Sequence, residues 1–115
     1  MTVPTDDEFR ARFEGRLRSE LLAMRSASAE TAADRSPVTL DQQSVGRLSR
    51  MDAMQQQAMA AAQEARRHGR IRALEAALAR LASGEFGWCD SCGEFIGEKR
   101  LEIDATIMRC RDCAV

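Results

Sequence analysis

Glu85-Phe86-Gly87-Trp88-Cys89-Asp90-Ser91-Cys92-Gly93 and, after a spacer, Cys110-Arg111-Asp112-Cys113 decide how this chain is read. Two Cys-x2-Cys hooks separated by 17 residues have the spacing of a four-thiolate zinc site. Each hook turns so that two sulfurs face one cation at about 2.3 Å, and two hooks close a tetrahedron. A dithiol redox site and two structural disulfides are the alternatives. A thioredoxin-type dithiol belongs to a βαβ setting that no part of the chain suggests, and disulfides are uncommon inside cells. A catalytic zinc keeps one position open, usually beside histidine. The single histidine, His68, stands far upstream among Arg66, Arg67 and Arg70 and reads as solvated. The expectation is one structural Zn2+ per chain, held by Cys89, Cys92, Cys110 and Cys113. Some thirty residues with three aromatics cannot build a core without such a staple. The spacer Phe95–Ile103 reads as short strands around a turn.

Upstream of the hooks the pattern is helical. Phe9, Phe13, Leu17, Leu21 and Met24 recur every three or four residues, which predicts one amphipathic helix over about 6–33. Thr5 with Glu8 has the form of a capping box, and Asp6, Asp7 and Glu8 suit the positive end of the helix dipole. Pro37 breaks the pattern, leaving a tip at about 34–40. A second helix over about 40–82 opens on Thr39 with Gln42 as its own capping box. Leu48, Met51, Ile71, Leu74, Leu78 and Leu81 mark its apolar side, which thins to Ala58, Ala61, Ala62 and Ala65 between them. Ser83-Gly84 stops it, glycine taking the left-handed capping conformation. A short connection makes the two helices antiparallel neighbours. Phe9, Phe13, Phe86, Trp88 and Phe95 then gather at the base, and the tip is free of aromatics.

The expected fold is therefore mainly α: a long antiparallel coiled-coil hairpin, residues 1–84, carrying a small four-cysteine zinc module, residues 85–115. Composition agrees. Of 115 residues 19 are Ala and 28 are bulky and apolar, which suits a thin helical assembly better than a thick core. The net charge of −1 argues against a polyanion-coating protein. The acidic start, Thr5-Asp6-Asp7-Glu8, is unlike a signal peptide, and no apolar run approaches the roughly 20 residues of a membrane span. The expectation is a cytoplasmic monomer with no membrane partner.

The run Phe86–Gly97, then Lys99-Arg100-Leu101-Glu102, Thr106 and Cys110–Cys113, resembles the DksA/TraR family of bacterial C4-type zinc-finger proteins. The likeness is strong over roughly residues 71–113 and architectural before that. It implies a transcription regulator that binds RNA polymerase rather than DNA, with the hairpin tip entering the enzyme's secondary channel. Acidic residues at the tip would act there on promoter complexes. The family's tip pattern is Asp-x-x-Asp-x-Ala. This chain has Asp41-Gln42-Gln43-Ser44-Val45-Gly46, keeping the first carboxylate and replacing the second by Ser44 and the alanine by Gly46. Asp41 also suits a helix dipole. Asp52, about three turns on, is an alternative acidic element, and Arg47 is placed to meet an acidic channel rim. Asp104 stands where the family's better-known member has a basic residue, in a region associated with binding guanosine tetraphosphate. That charge reversal disfavours a polyphosphate, so alarmone dependence is not expected.

Two other function classes compete with this reading. A zinc-finger DNA reader, or a protein-interaction module without channel binding, is the runner-up. Residues 85–115 carry four cations against seven carboxylates, the wrong sign for neutralising phosphates, so direct sequence-specific DNA binding is not expected. For an enzyme there is no His–carboxylate pair, Gly-rich phosphate loop, nucleophile elbow or concave pocket implied by the fold. The expectation is a non-enzyme.

Overall fold

A computed structural model describes residues 3–35 and 47–114. Two long helices form the body. Helix α1 spans Asp7–Glu30 and α2 is described from Arg47 to Ser83. As residue number rises along α1 it falls along α2: Arg10 meets Leu81, Glu20 meets Arg70, and Ser28 meets Glu64. The pair is thus an antiparallel hairpin, and the chain measures 67 × 28 × 20 Å.

The helix ends differ from expectation in instructive ways. Asp6, not Thr5, caps α1, its carboxylate accepting from the Glu8 and Phe9 amides at 2.8 and 3.4 Å. A turn closed by the Asp6 N–H on the Val3 carbonyl at 2.9 Å absorbs Thr5, and aspartate caps at least as well as threonine. At its other end α1 stops at Glu30 rather than at 33. Thr31 bonds back to the Ala27 carbonyl through its hydroxyl (2.8 Å) and its amide (3.1 Å), and a 3-10 helix, Ala32–Arg35, follows. The expected tip therefore begins with ordered backbone. The expected start of the second helix at 40, with its Thr39–Gln42 box, lies outside the described residues. The stop at Ser83 is as expected. Gly84 takes φ +83, and the Gly84 and Glu85 amides return to the Leu81 and Arg80 carbonyls at 3.4 and 2.9 Å. This is the paired closure that satisfies the last orphan carbonyls.

One core runs through the base of the hairpin into the cysteine module. Phe9, Phe13, Leu17 and Leu21 of α1 face Leu74, Ala77 and Leu81 of α2, and Phe86, Ile96, Leu101 and Ala105 complete the cluster. The five aromatics gather as expected, with Phe9–Phe13 ring centroids 4.8 Å apart, Phe13–Phe86 5.6 Å and Trp88–Phe95 6.1 Å. Pro4 joins them by lying on Gly87. A β-carbon at Gly87, whose φ is +89, would stand 2.7 Å from the proline ring, so only glycine fits.

Farther from the base the apolar face of α2 is not where the alanines suggested. Ala58, Ala61, Ala62 and Ala65 are exposed, and so is Met51. The row that faces α1 continues from Leu81, Leu78, Leu74 and Ile71 at heptad spacing to Arg67 and Glu64. Alanine carries too little hydrophobic contrast to mark a face, so its run left the phase undetermined. The expected short strands also need correction. Extended pairing among the described residues is a single antiparallel bridge, Trp88 with Phe95. Glu98–Ile103 is instead a third helix, α3, built on the good helix formers Lys99-Arg100-Leu101-Glu102. No described helix is long and apolar enough to cross a membrane.

Candidate metal centre

The first hook leaves α2 through the Gly84 turn and is held by backbone pairing across the bridge. The Ile96 amide donates to the Gly87 carbonyl and the Cys89 amide to the Glu94 carbonyl, both at 2.8 Å. Within the hook the Gly93 amide closes on the Cys89 carbonyl at 2.9 Å. The second hook is a matching turn, with the Cys113 and Ala114 amides on the Cys110 carbonyl at 3.1 and 3.0 Å. One backbone bond brings the two hooks together: the Asp90 amide donates to the Met108 carbonyl at 2.9 Å. The Arg109 guanidinium reinforces it on the Asp90 carboxylate at 3.4 Å.

All four sulfurs consequently lie within 4.8 Å of one another, and Cys92 and Cys110 approach to 3.6 Å. None is in a disulfide. A zinc tetrahedron with about 2.3 Å bonds has sulfur–sulfur edges near 3.8 Å, so the donor set fits one such ion. The thiols do not ionise alike. The Cys110 backbone N–H first, then those of Cys92 and Ser91, pull Cys89 down to about 6. The neighbouring Cys110 sulfur, followed by Cys89 and Cys92, pushes Cys113 up to about 12. Sulfurs this close together call for a divalent cation, whose binding displaces their protons. Cys89 is buried and the other three are more open, and among the described residues no histidine or carboxylate joins the set. The closed four-sulfur arrangement suits a structural ion.

Arginines fasten this centre to the hairpin. Arg80 of α2 donates to the Trp88 and Glu85 carbonyls at 2.5 and 3.1 Å. Arg16 of α1 donates to the Leu101 and Glu102 carbonyls at the end of α3, where a cation also suits the helix dipole. Arg12 pairs with Glu98 at 2.7 Å while its guanidinium lies 4.7 Å from the Phe13 ring centroid. The most branched link is Arg70. It reaches Glu20 of α1 at 2.5 Å, Asp104 at 3.0 Å and the Thr106 hydroxyl at 3.0 Å. Asp104, which reads in the sequence as a lost cation, is thus half of a clamp between α2 and the segment after α3.

Ion pairing with Arg70 holds Glu20 below its ordinary 4.5. Burial opposes ionisation of Asp104, but the Thr106 hydroxyl and amide together with Arg70 outweigh it and keep the group below its ordinary 3.8. Folded-state values below unfolded ones give stability that is complete above pH 4.5 and is lost as pH falls through the depressed values. The urea midpoint of wild type should therefore exceed that of Arg70→Met most at pH 7, and the gap should close as the pH is lowered towards 3. A gap independent of pH would show that Arg70 stabilises by packing alone.

Of the residues expected at the tip, Asp41, Ser44 and Gly46 lie outside the described segments. Arg47 opens α2, and Asp52 is exposed on its second turn. His68 is not simply solvated. Its Nε2 lies 3.0 Å from the Glu64 carboxylate one helical turn away, which corrects the expectation that the chain holds no His–carboxylate pair. Glu64 itself was missed. Among the described residues it is the one charged side chain that is buried, at 7% exposure. The row of Leu74 and Ile71 continued by seven toward the N-terminus would have found it.

Comparison with known proteins locates the likeness. Residues 84–115 match the family model described as prokaryotic dksA/traR C4-type zinc finger. A 43-residue stretch is 46% identical to the RNA polymerase-binding transcription factor DksA of Haemophilus influenzae. That alignment covers 37% of this chain and 30% of the relative, so the chain matches well under half of that protein's length. The structure of transcription factor DksA2 from Pseudomonas aeruginosa superposes with a TM-score of 0.74 at 25% identity, covering 95% of this chain and 82% of that one. The metal expectation is met: family and donor geometry agree on one structural zinc.

Proposed function

From the premise that this chain belongs to the DksA/TraR family of C4 zinc-finger proteins, we propose that it regulates transcription by binding RNA polymerase. In this reading the zinc module and the aromatic base dock on the enzyme. The far end of the hairpin enters the secondary channel, and Asp41, Ser44, Gly46, Arg47 and Asp52 are the tip residues that act there. The hairpin corresponds to residues 1–84 and the zinc module to residues 85–115, in a cytoplasmic monomer without catalytic activity of its own.

The observation that carries the proposal is the asymmetry of the rod. Its buried phenylalanines and leucines, the Arg12 and Arg70 clamps and its metal centre all lie toward one end of a body 67 Å long and 28 × 20 Å across. Such a shape reaches into a passage; it does not enclose a substrate. The module's excess of carboxylates, four cations against seven acids over residues 85–115, favours a protein surface over a DNA backbone.

The test is a photocrosslinker placed at position 41 or 44, with the zinc-loaded protein added to purified polymerase at micromolar concentration. Crosslinks mapping to the subunits that line the channel, together with shortened promoter-complex lifetimes, are the expected result. Absence of any complex with polymerase, or a salt-dependent shift of duplex DNA alone, would overturn it.

A further inference from the structure

Glu64 occupies a place where a leucine would be expected. It continues the row of α2 that faces α1, yet it is a carboxylate buried to 7% exposure. Taking an ion out of water is costly, and replacing a whole buried ion pair by apolar side chains is often neutral or stabilising. A charge in such a position is better explained by what it specifies than by what it stabilises, and fixing a register is the best-attested use.

The partners point the same way, because they come from both arms of the hairpin. The Ser28 hydroxyl of α1 donates to Glu64 Oε2. From α2 itself Arg67 reaches Oε1 at 3.1 Å and His68 reaches Oε2 at 3.0 Å. From the 3-10 helix Arg35 reaches Oε2 at 3.3 Å. The set is closed by Thr31, whose hydroxyl accepts from Arg35 at 2.8 Å and from Arg67 at 3.3 Å. Arg35 also donates to the Ser28 carbonyl at 3.0 Å. The Ser28 hydroxyl first, then Arg67, Arg35 and His68, hold Glu64 below the ordinary carboxylate value against the cost of burial.

Apolar contact cannot set the register at this level. Beyond Leu21 and Met24, α1 offers the half-buried Ala27, Ser28 and Thr31, side chains too small to interlock with α2. A directional polar cluster does what shape cannot.

We propose that Glu64 is the positioning residue of the hairpin's far half, fixing the Ala32–Arg35 turn against α2 and so the point from which the chain runs on towards Asp41. Only the functional arm of its test rests on the polymerase-binding reading. The structural arm stands without it.

The experiment uses the full zinc-loaded chain and the variant Glu64→Leu, which fills the row with an apolar side chain. Amide hydrogen exchange over residues 31–35 should accelerate by about tenfold or more, because the turn loses its anchor while the base keeps its protection. The Phe9–Leu21 amides should exchange at the wild-type rate. In transcription assays the variant should bind polymerase within about twofold of wild type yet lose about tenfold in its effect on promoter-complex lifetime. A purely stabilising role predicts instead that protection falls along the whole hairpin, the base included, with binding and effect reduced together. Wild-type exchange over residues 31–35 in Glu64→Leu overturns the proposal. If that variant does not fold, Arg35→Gln removes one arm of the cluster, and accelerated or unchanged exchange in the same segment decides the matter. If wild type itself does not bind polymerase, the functional reading fails while the exchange result still judges the positioning role of Glu64.

Discussion

Stripping the metal with a strong chelator at neutral pH should unfold the cysteine module first and then lower the stability of the whole hairpin base. The module's own buried set is small: Phe86, Cys89, Ile96, Leu101 and Ala105. Its regular structure is one isolated bridge and a six-residue helix. Set against the ordering of some thirty residues, that core is insufficient. Structural zinc contributes about 10–16 kcal/mol in finger peptides at neutral pH, far more than the module can replace. Once it opens, Phe86 leaves the rings of Phe9 and Phe13, and Leu101 leaves the core that it completes. Each kcal/mol lost by the remainder shifts Tm by about 4–8 °C for a domain of this size, so a drop of more than about 20 °C is expected. The measurement is a thermal melt followed by circular dichroism, beside a two-dimensional amide spectrum. In the spectrum, resonances of residues 85–114 should collapse toward random-coil positions while those of the α1–α2 contact persist at low temperature. Cys113→Ser should reproduce the effect without chelator. A metal-free chain with dispersed module resonances and an unchanged Tm would leave the four sulfurs without a structural role.

How much of this was legible beforehand varies with the kind of side chain that carried each signal. The base was readable because Phe9, Phe13, Leu17 and Leu21 are bulky and regularly spaced, and because an antiparallel hairpin must bring them to the residues after Gly84. The metal centre was readable because two hooks at this spacing have few other uses. The phase of α2 beyond Ile71 was not, since alanine on either face costs little, and Glu64 and Arg67 look like ordinary surface charges until the row of Leu74 is extended to them. The α3 helix was missed because Phe95 and Ile96 begin the stretch in extended form, and only Glu98 onward obeys the helical preference of its own residues. Asp104 shows a different gap. Its departure from the family pattern was visible, but its partner Arg70 lies 34 residues away, and no local pattern links them.

Phe13→Ala should be among the most damaging single substitutions in the hairpin, lowering stability by about 3–5 kcal/mol as the combined loss of transfer free energy and the cavity left behind. The ring is 1% exposed and sits inside the cluster that joins the base of the hairpin to the cysteine module. It lies 4.8 Å from Phe9 and 5.6 Å from Phe86, and the Arg12 and Arg16 guanidinium groups approach it at 4.7 and 5.8 Å. The same two arginines hold α3 through Glu98 and the last carbonyls of that helix, so removing the ring also frees the side chains that bind the module to α1. Two consequences separate this from ordinary core loss. The urea midpoint should fall, and zinc should be lost at a lower chelator concentration than in wild type, because the closed module and the packed base stabilise each other. Leu22→Ala provides the contrast. Leu22 belongs to the same helix but is 69% exposed, and its truncation should stay within about 0.5 kcal/mol with zinc retention unchanged. Equal effects of the two substitutions, or a destabilised Phe13→Ala that holds zinc as tightly as wild type, would mean that the hairpin and the metal centre fold independently.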